Sequence, residues 1–323
     1  SEENIKNFNA KNAGLVAIDP KNGQLLVMVG SRDYFDTENE GNFNVTTSPN
    51  RQPGSAFKPF VYATAFEKGF TPETTVFDLQ TQFDTNCDPD GKPREGTPPE
   101  YICYTPTNYD EIYRGPITLR EALAQSINIP AIKTLYLAGL RDSLRTAQKM
   151  GITSLTDINK YGLTLVLGGG EVSLVEMTSA YSVFANEGKK NQVAAILRVE
   201  DKKGVVLEEF KKREEVAISQ EIALTISDIL SDNQARSPAF GERSYLYFDE
   251  RDVAAKTGTT NNYIDAWVVG YTPSIAVGAW AGNNDYTPME KKVAGFIIAP
   301  LWNAFMREAL KDVPNEPFKK PTK

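Results

Sequence analysis

Apolar residues form short, unbroken runs near both ends of the chain, and such runs are typical of β-strands. Residues 13–18 and 25–29 are separated by the turn sequence Asp19-Pro20-Lys21-Asn22-Gly23, so they predict an antiparallel hairpin. Three further runs lie near the other end, at residues 253–258, 266–271 and 275–280. We therefore expect one antiparallel sheet that is assembled from the two ends of the chain.

The pattern between these two groups of strands is mostly helical. A helix is predicted to begin next to Ser55 and to end near Gly69, because Pro59 is tolerated only in a helix's first turn. Ser173 and Glu176 form a capping box, which predicts the start of another helix. Other predicted elements are helices at residues 219–230 and 299–310, a hairpin formed by residues 193–199 and 205–210, and a long loop at residues 78–110. The predicted fold class is α/β (α+β): an antiparallel sheet flanked by helices, with a mostly helical subdomain inserted at about residues 60–250.

Length and composition are those of a globular protein. The 323 residues are 41 % hydrophobic and 24 % charged, and residues 1–312 are long enough to form one large domain. Residues 313–323 are rich in Pro and Lys, so we expect a linker that does not pack against the domain. The chain starts at Ser1 and has no run of 18 apolar residues, so we expect an excised fragment without a membrane-spanning segment.

Charge and residue types exclude several classes of function. The net charge is −7, so we do not expect a nucleic acid partner. The sequence contains no histidine, which excludes Ser-His-Asp and Cys-His catalysis and every His-ligated metal site. Two cysteines are too few for a Cys₄ zinc site or an iron–sulfur cluster. We therefore expect no metal and no cofactor, and any acid–base chemistry must come from Lys, Asp, Glu or Tyr.

Ser55 and Lys58 form an S-x-x-K pattern in the predicted first turn of a helix. Positions three apart share one helix face, so Lys58 should reach Oγ of Ser55, and a lysine is the natural base when no histidine is available. A free lysine has a pKa near 10.4, which burial against Phe57 or Phe60 and repulsion from Lys256 would lower. The pattern alone is weak evidence, since a serine that only caps a helix looks the same.

Two further motifs follow in the chain. Ser126-Ile127-Asn128 lies on a helical stretch, and Lys256-Thr257-Gly258 lies on a predicted strand. The order S-x-x-K, S-x-N, K-T-G is the signature of penicillin-recognising serine enzymes. Ser231-Asp232-Asn233 also fits the middle pattern, but it follows an amphipathic helix and lies shortly before Lys256. We expect this second match to end the helix and to have no part in catalysis.

Several segments resemble class A (bifunctional) penicillin-binding proteins. The decapeptide Arg51-Gln52-Pro53-Gly54-Ser55-Ala56-Phe57-Lys58-Pro59-Phe60 is similar to the active-site segment of that family. Other similar segments are residues 108–110, 113–116, 266–271 and 299–302. The resemblance extends from about residue 10 to about residue 310 and implies the penicillin-binding/serine β-lactamase-like fold, with the transpeptidase domain alone. It also implies that the full-length parent is membrane-anchored and carries a glycosyltransferase domain.

The resemblance implies a role for each residue of the three motifs. Ser55 would attack the penultimate D-Ala carbonyl of a peptidoglycan stem peptide, with Lys58 as its general base. Ser126 would pass a proton to the departing D-Ala, and Lys256 would support it electrostatically. The implied substrate-binding residues are Asn128 for the donor's amide, Thr257 and Thr259 for the terminal carboxylate, and Gly258 between them. The backbone N–H groups of Ser55 and Thr259 would form the oxyanion hole.

The implied function is a D,D-transpeptidase that crosslinks peptidoglycan outside the cytoplasmic membrane, in the periplasm or on the outer face of the membrane. Its partners would be a D-Ala-D-Ala donor, an amine acceptor and β-lactams, which would inhibit it covalently. Three alternatives stay open: a D,D-carboxypeptidase, a serine β-lactamase, and a β-lactam-sensing domain that is acylated only once. Class A β-lactamases use a glutamate to activate water. The best candidate is Glu171, but its place just before a capped helix favours a structural role.

Cys87 and Cys103 both lie in the predicted long loop. A domain outside the cytoplasm faces a non-reducing compartment, where exposed thiols tend to pair. A disulfide between them would stabilise the fold by about 3 kcal/mol in the chain-entropy model. We therefore expect this disulfide, and two free thiols are the alternative that the sequence leaves open.

Overall fold

A computed structural model describes residues 2–98 and 100–322. The strands are β1 (Asn12–Ile18), β2 (Leu25–Val29), β3 (Thr75–Asp78), β4 (Gly115–Thr118), β5 (Lys189–Asn191), β6 (Arg198–Glu200), β7 (Val206–Glu209), β8 (Glu214–Val216), β9 (Ala254–Thr259), β10 (Asp265–Thr272) and β11 (Ile275–Gly282). The α-helices are α1 (Glu2–Phe8), α2 (Lys58–Glu67), α3 (Leu119–Ala124), α4 (Asn128–Ala138), α5 (Leu140–Met150), α6 (Leu174–Ala185), α7 (Gln220–Ser231), α8 (Asn233–Phe240), α9 (Ala294–Ile297) and α10 (Ala299–Leu310). Short 3₁₀ helices span Gly54–Phe57, Ile158–Lys160 and Leu163–Leu167.

The central sheet has five antiparallel strands in the order β2-β1-β11-β10-β9. Both ends of the chain contribute to it, as the hydrophobic pattern predicted. Strands β10 and β11 are buried along their whole length, because helices cover both faces of the sheet. The predicted antiparallel sheet with flanking helices is therefore confirmed.

Alternate residues of the central strands contribute to two separate layers. Val16 and Trp267 belong to the larger buried cluster, which includes side chains of α2, α6 and α7. Leu15 and Val268 belong to the second cluster, which Trp302 of α10 completes. The larger cluster contains side chains of both the sheet and the inserted helices, so these two parts of the molecule share one core.

The insertion between β2 and β9 is mostly helical. The capping box formed by Ser173 and Glu176 begins α6, and Ser219 caps α7, both as predicted. The predicted hairpin is present as β6 and β7, although its strands are shorter than the apolar pattern suggested. Two small strand pairs, β3–β4 and β5–β8, were not predicted, because their strands have only three or four residues and no long apolar run.

The expectation that residues 313–323 do not pack against the domain is wrong for the part that the structure describes. The ring of Phe318 is 8 % exposed and lies 5.7 Å from the ring of Tyr271, centroid to centroid. Lys319 pairs with Glu187, and Lys320 pairs with Asp228. A third ion pair joins Glu316 to Lys21. One buried aromatic ring and these three ion pairs hold the segment in place, and its Pro and Lys content did not indicate them.

No helix in residues 2–98 and 100–322 is both long enough and apolar enough to cross a membrane.

Candidate active site

Ser55 lies at the start of a helix, in the position that the S-x-x-K pattern predicted. The 3₁₀ turn Gly54–Phe57 leads directly into α2, which begins at Lys58. Phe57 and Phe60 are buried in the core and fix this turn, whereas Ser55 stays partly exposed. Among the described residues, none forms a hydrogen bond with the Ser55 hydroxyl, so its oxygen is accessible to a ligand.

The backbone of strand β9 lies so close to the backbone of this turn that no side chain fits between them. A Cβ atom added to Gly258 would lie 2.0 Å from the carbonyl oxygen of Pro53, and one added to Gly54 would lie 2.7 Å from the amide nitrogen of Thr259. Gly54 also has a φ of +56°, a conformation that glycine adopts at little cost. The K-T-G strand is therefore in backbone contact with the segment that carries Ser55.

Gly168 is a second close neighbour of this turn, and its position in the sequence did not indicate this contact. A Cβ atom added to Gly168 would lie 2.1 Å from the amide nitrogen of Gly54. In sequence, Gly168 belongs to a run of three glycines that indicates no more than a turn. The structure adds that the 3₁₀ helix Leu163–Leu167 ends here and brings its backbone against the active-site segment.

Arg51 fixes the other side of the segment, a role that its place in the motif did not indicate. Its guanidinium is 1 % exposed, donates to the carbonyl of Asn283 at 3.1 Å and lies 3.6 Å from the carboxylate of Asp265. The ring of Tyr286 stacks on it at 4.1 Å. Burial raises the pKa of Asp265 to about 6, although Trp280 donates a hydrogen bond to its carboxylate.

Lys58 is completely buried and contacts the S-x-N motif. Its Nζ lies 2.6 Å from the carbonyl oxygen of Ser126, 3.2 Å from that of Ile127 and 2.9 Å from Oδ1 of Asn128. The Ser126 hydroxyl lies 3.4 Å from the same nitrogen. The first two motifs are thus joined through one amine.

The expected direct contact between Lys58 and Ser55 is absent among the hydrogen bonds of the described residues. The acceptors around Lys58 occupy its N–H groups, so the amine faces the S-x-N motif. Catalytic hydrogen bonds are commonly long in ligand-free enzymes and tighten when substrate binds. Lys58 is one turn away from Ser55, so a side-chain rotation is the change that such tightening requires.

Ser126 lies between two lysines. Its hydroxyl accepts a hydrogen bond of 2.6 Å from Nζ of Lys256, opposite its contact with Lys58. Its φ of +63° is unusual for a residue other than glycine, and it occurs in the short turn between α3 and α4. Such backbone strain persists only where the surroundings fix it, and it is common at functional sites.

Burial and like charge act on both lysines. Burial first, and then the positive charge of Lys256, hold the pKa of Lys58 well below its usual range. Burial and the neighbouring Arg236 lower the pKa of Lys256 to about 7. Arg236 is itself 3 % exposed, and its position near Lys256 was not foreseen from the sequence. The causes expected for the lowered pKa of Lys58, burial and repulsion from Lys256, are therefore present.

The two threonines of the K-T-G-T segment differ in their contacts. The hydroxyl oxygen of Thr259 accepts a hydrogen bond of 3.0 Å from the amide of Ala294, which leaves its O–H free to donate. Thr257 is 7 % exposed, and its hydroxyl bonds to no other described residue. Both hydroxyls can therefore donate to an anionic group, and Nζ of Lys256 donates to the Thr257 carbonyl at 3.0 Å.

The second S-x-N match, Ser231-Asp232-Asn233, serves helix ends, as expected. Helix α7 ends at Ser231, and the carboxylate of Asp232 accepts from the amide of Ala235 and so caps α8. Asp232 also lies 3.2 Å from the guanidinium of Arg120. The candidate Glu171 is exposed and makes no hydrogen bond with the described residues.

Cys87 and Cys103 are joined by a disulfide, with their Cα atoms 6.0 Å apart. The bridge closes the irregular segment between β3 and β4, which leads to the S-x-N side of the site. Within the described residues, no three Asp, Glu or Cys side chains are arranged so that they could hold a metal ion.

Comparison with known proteins gives consistent matches. A family model described as the penicillin-binding protein transpeptidase domain matches residues 13–303. Penicillin-binding protein 2D of Bacillus subtilis (strain 168) is 33 % identical over 314 residues, which cover 95 % of this chain and 42 % of that protein. Penicillin-binding protein 1A of Aquifex aeolicus (strain VF5) is 35 % identical over 312 residues, which cover 95 % of this chain and 39 % of that protein.

A solved structure has the same fold. The PonA1 protein from Mycobacterium tuberculosis in complex with penicillin V superposes with a TM-score of 0.82 at 25 % sequence identity. The match covers 99 % of this chain and 84 % of that chain. By contrast, the chain spans only 42 % and 39 % of the lengths of the two relatives named above.

Proposed function

This chain belongs to the penicillin-binding protein transpeptidase family, and from that membership we propose that it is a serine D,D-transpeptidase that crosslinks peptidoglycan stem peptides. One observation carries the proposal beyond family membership: Lys58, one helical turn after the accessible Ser55, and Lys256 both contact the hydroxyl of Ser126. Perturbed lysines beside a serine nucleophile are what acyl transfer needs in a protein without histidine.

In the first half of the reaction, Oγ of Ser55 attacks the carbonyl carbon of the penultimate D-Ala. The hydroxyl proton passes to the neutral amine of Lys58, and a covalent acyl ester forms on Ser55. The peptide C–N bond breaks, and the terminal D-Ala leaves after it receives a proton through the hydroxyl of Ser126. Nζ of Lys256 lies 2.6 Å from that hydroxyl and gives Ser126 a proton in place of the one it passed on.

The developing negative charge is stabilised by backbone N–H groups of Ser55 and Thr259. The close approach of Gly54 to the amide of Thr259 supports this pairing of two adjacent segments. One such donor contributes about 3–4 kcal/mol to transition-state stabilisation in other acyl-transfer enzymes. The donor's amide is held by Asn128, whose own amide group donates to the carbonyl of Thr107 at 3.0 Å.

The terminal carboxylate of the donor binds to the K-T-G-T segment. The hydroxyls of Thr257 and Thr259 are available as donors, and Gly258 keeps the strand close to Ser55. The positive charge of Lys256 attracts the carboxylate to the same place.

In the second half, the amine of another stem peptide attacks the acyl ester. A new amide bond forms, and the proton lost by the attacking amine passes through Ser126 to Lys256. The ester bond to Ser55 breaks, and Lys58 returns its proton to Ser55. β-Lactams enter the first half in place of the donor, and their acyl ester remains on Ser55. The proposal places this chemistry outside the cytoplasmic membrane, where peptidoglycan is assembled. A parent protein with a membrane anchor and a glycosyltransferase domain would account for the additional length of the relatives.

The test offers the chain two stem peptides, one ending in D-Ala-D-Ala and one carrying a free side-chain amine but no terminal D-Ala-D-Ala. Mass spectrometry then distinguishes the products. A crosslinked dimer supports the transpeptidase, whereas release of D-Ala without dimer indicates a carboxypeptidase. Rapid hydrolysis of penicillin indicates a β-lactamase. Acylation by penicillin with neither peptide product indicates a sensing domain.

A further inference from the structure

A buried chain of hydrogen bonds begins at Asp78, outside the three motifs, and ends at the first turn of α4. Asn108 is 2 % exposed, and its Nδ2 donates to the carboxylate of Asp78 at 2.7 Å and to the carbonyl of Ile112 at 2.7 Å. Its Oδ1 accepts from the backbone amides of Asn128 and Ile129 at 3.2 and 3.1 Å. Every polar atom of the Asn108 side chain is therefore used.

The Asp78 carboxylate is completely buried, and among the described residues its hydrogen bonds all belong to this arrangement. One oxygen accepts from Asn108, and the other accepts from the backbone amide of Arg114 at 3.0 Å. The guanidinium of Arg114 lies 3.6 Å away, and Lys133 on α4 is the other cation that acts on this carboxylate. A buried carboxylate with such partners has one preferred position.

Asn108 fixes the start of α4, and the turn that leads into this helix contacts Nζ of Lys58. The first turn of α4 carries Asn128, whose Oδ1 lies 2.9 Å from Nζ of Lys58, and the preceding carbonyls of Ser126 and Ile127 contact the same nitrogen. Ile127, the N-cap residue of α4, offers no side-chain cap. Asn108 supplies that cap from a distant part of the chain.

We propose that Asn108, oriented by Asp78, is a positioning residue that sets the place of Lys58 and of the Asn128 carboxamide, and thereby the rate of acylation at Ser55. This inference rests on the proposed function, because it concerns the base of that reaction. Asn108 touches neither the substrate nor the reacting atoms. A displacement of the lysine by about 1 Å is enough to slow such a reaction 10- to 100-fold.

The Asn108→Asp variant separates this role from a general loss of packing. The variant has nearly the same shape, and one oxygen still accepts from the amides of α4. Its other oxygen would face the carboxylate of Asp78, and two ionised carboxylates at this distance repel each other. Uptake of one proton restores the bond, but Arg114, Lys133 and, when it is charged, Lys58 favour the ionised forms, so this uptake requires a lower pH.

The experiment measures acylation of the full chain by benzylpenicillin with intact-mass kinetics at about pH 8 and about pH 6. We expect Asn108→Asp to be about 10- to 100-fold slower than wild type at the higher pH, and the ratio of variant to wild-type rate to rise at the lower pH. The double variant Asp78→Asn/Asn108→Asp exchanges donor and acceptor, so it should recover most of the lost rate.

Asn186→Asp is the matched control. In wild type, Nδ2 of Asn186 faces the carboxylate of Glu214 at 3.5 Å. Asn186 lies at the end of α6, outside the motifs of the site. The variant should therefore be acylated at the wild-type rate. If Asn108→Asp does not fold, Asn108→Ser replaces it, because the shorter serine side chain cannot bridge Asp78 and the amides of α4. Its rate should also fall.

Three results would overturn the inference. The first is a wild-type rate in a folded Asn108 variant at both pH values. The second is a double variant that is folded but no faster than Asn108→Asp. The third is an Asn186→Asp variant that is slowed as much as Asn108→Asp. If wild type itself is not acylated on Ser55, the proposed function fails instead.

Discussion

Nζ of Lys256 lies 2.6 Å from the hydroxyl oxygen of Ser126, although 130 residues separate the two in the chain. The contact connects the strand of the third motif to the turn of the second, and Lys58 reaches the same hydroxyl from the first. Burial, together with a neighbouring positive charge, lowers the pKa of each of these two lysines.

Replacement of Ser55 by alanine should abolish covalent labelling by penicillin without affecting the fold. The Ser55 hydroxyl bonds to no other described residue, so its loss should change the free energy of unfolding by no more than about 0.5 kcal/mol. Intact-mass measurement after incubation with penicillin checks the label, and thermal unfolding checks the fold. A label that persists on another residue would show that Ser55 is not the nucleophile.

The Ser126→Ala variant should be acylated about 10²- to 10³-fold more slowly, because it loses the hydroxyl that links the two lysines. Ser231→Ala provides the comparison within the same chain, since it alters the other S-x-N match. The Ser231 hydroxyl donates only to the carbonyl of Asp228, so this variant should be acylated at the wild-type rate. The reverse order of rates would mean that the wrong serine has been assigned.

The rate of acylation should rise with pH as Lys58 loses its proton, because only the neutral amine can accept the proton of Ser55. The charge of Lys256 lowers the pKa of Lys58. In Lys256→Gln that repulsion is absent, so the pKa of Lys58 should rise and the acidic limb of the profile should move to higher pH. Acylation rates of both proteins across a pH series check this. An unchanged or more acidic limb in the variant would argue against Lys58 as the base.

Local signals explain what could be predicted of the fold. The five sheet strands carry apolar runs, α6 has its capping box, and α10 spans Ala299–Leu310 as its pattern indicated. The short pairs β3–β4 and β5–β8 carry no comparable signal. In β5–β8, cross-strand ion pairs such as Lys190 with Glu215 take the place of apolar alternation.

The site itself was only partly predictable, because motifs specify residue types but not their contacts. Three separate motifs supplied Lys58, Ser126 and Lys256, which the structure brings together. The contact of Gly168 with Gly54 and the action of Arg236 on Lys256 depend on packing between distant segments. Sequence spacing also placed Lys58 next to Ser55, whereas its amine faces the S-x-N turn.

Loss of the disulfide should destabilise the protein. The bridge between Cys87 and Cys103 closes a loop of a size for which the chain-entropy model gives about 3 kcal/mol. The double variant Cys87→Ser/Cys103→Ser should therefore unfold at lower temperature and lower denaturant concentration than the oxidised wild type. A thiol reagent provides the control, since the unreduced protein should not react with it. Reaction with two equivalents would mean that the thiols are free.

The acyl-enzyme formed with penicillin should persist for many minutes, because the best candidate carboxylate for activating water is not held in place. Class A β-lactamases use a glutamate for that step, and Glu171 is the candidate that the sequence offers. Its carboxylate is exposed and forms no hydrogen bond with the described residues, so it cannot hold a water molecule in one orientation. It lies two residues before Ser173, the N-cap of α6, where a negative charge is favoured by the helix dipole.

Glu171→Gln should therefore leave the lifetime of the acyl-enzyme unchanged, as followed by intact mass after removal of free penicillin. Slow hydrolysis is also what a transpeptidase requires, because rapid attack by water would consume the donor before an amine arrives. The matched variant is Glu176→Gln, which alters the carboxylate that completes the capping box of α6. It should lower thermal stability and leave the lifetime as it was. Rapid clearance of penicillin by wild type, lost in Glu171→Gln, would assign the water-activating role to Glu171 and make the chain a β-lactamase.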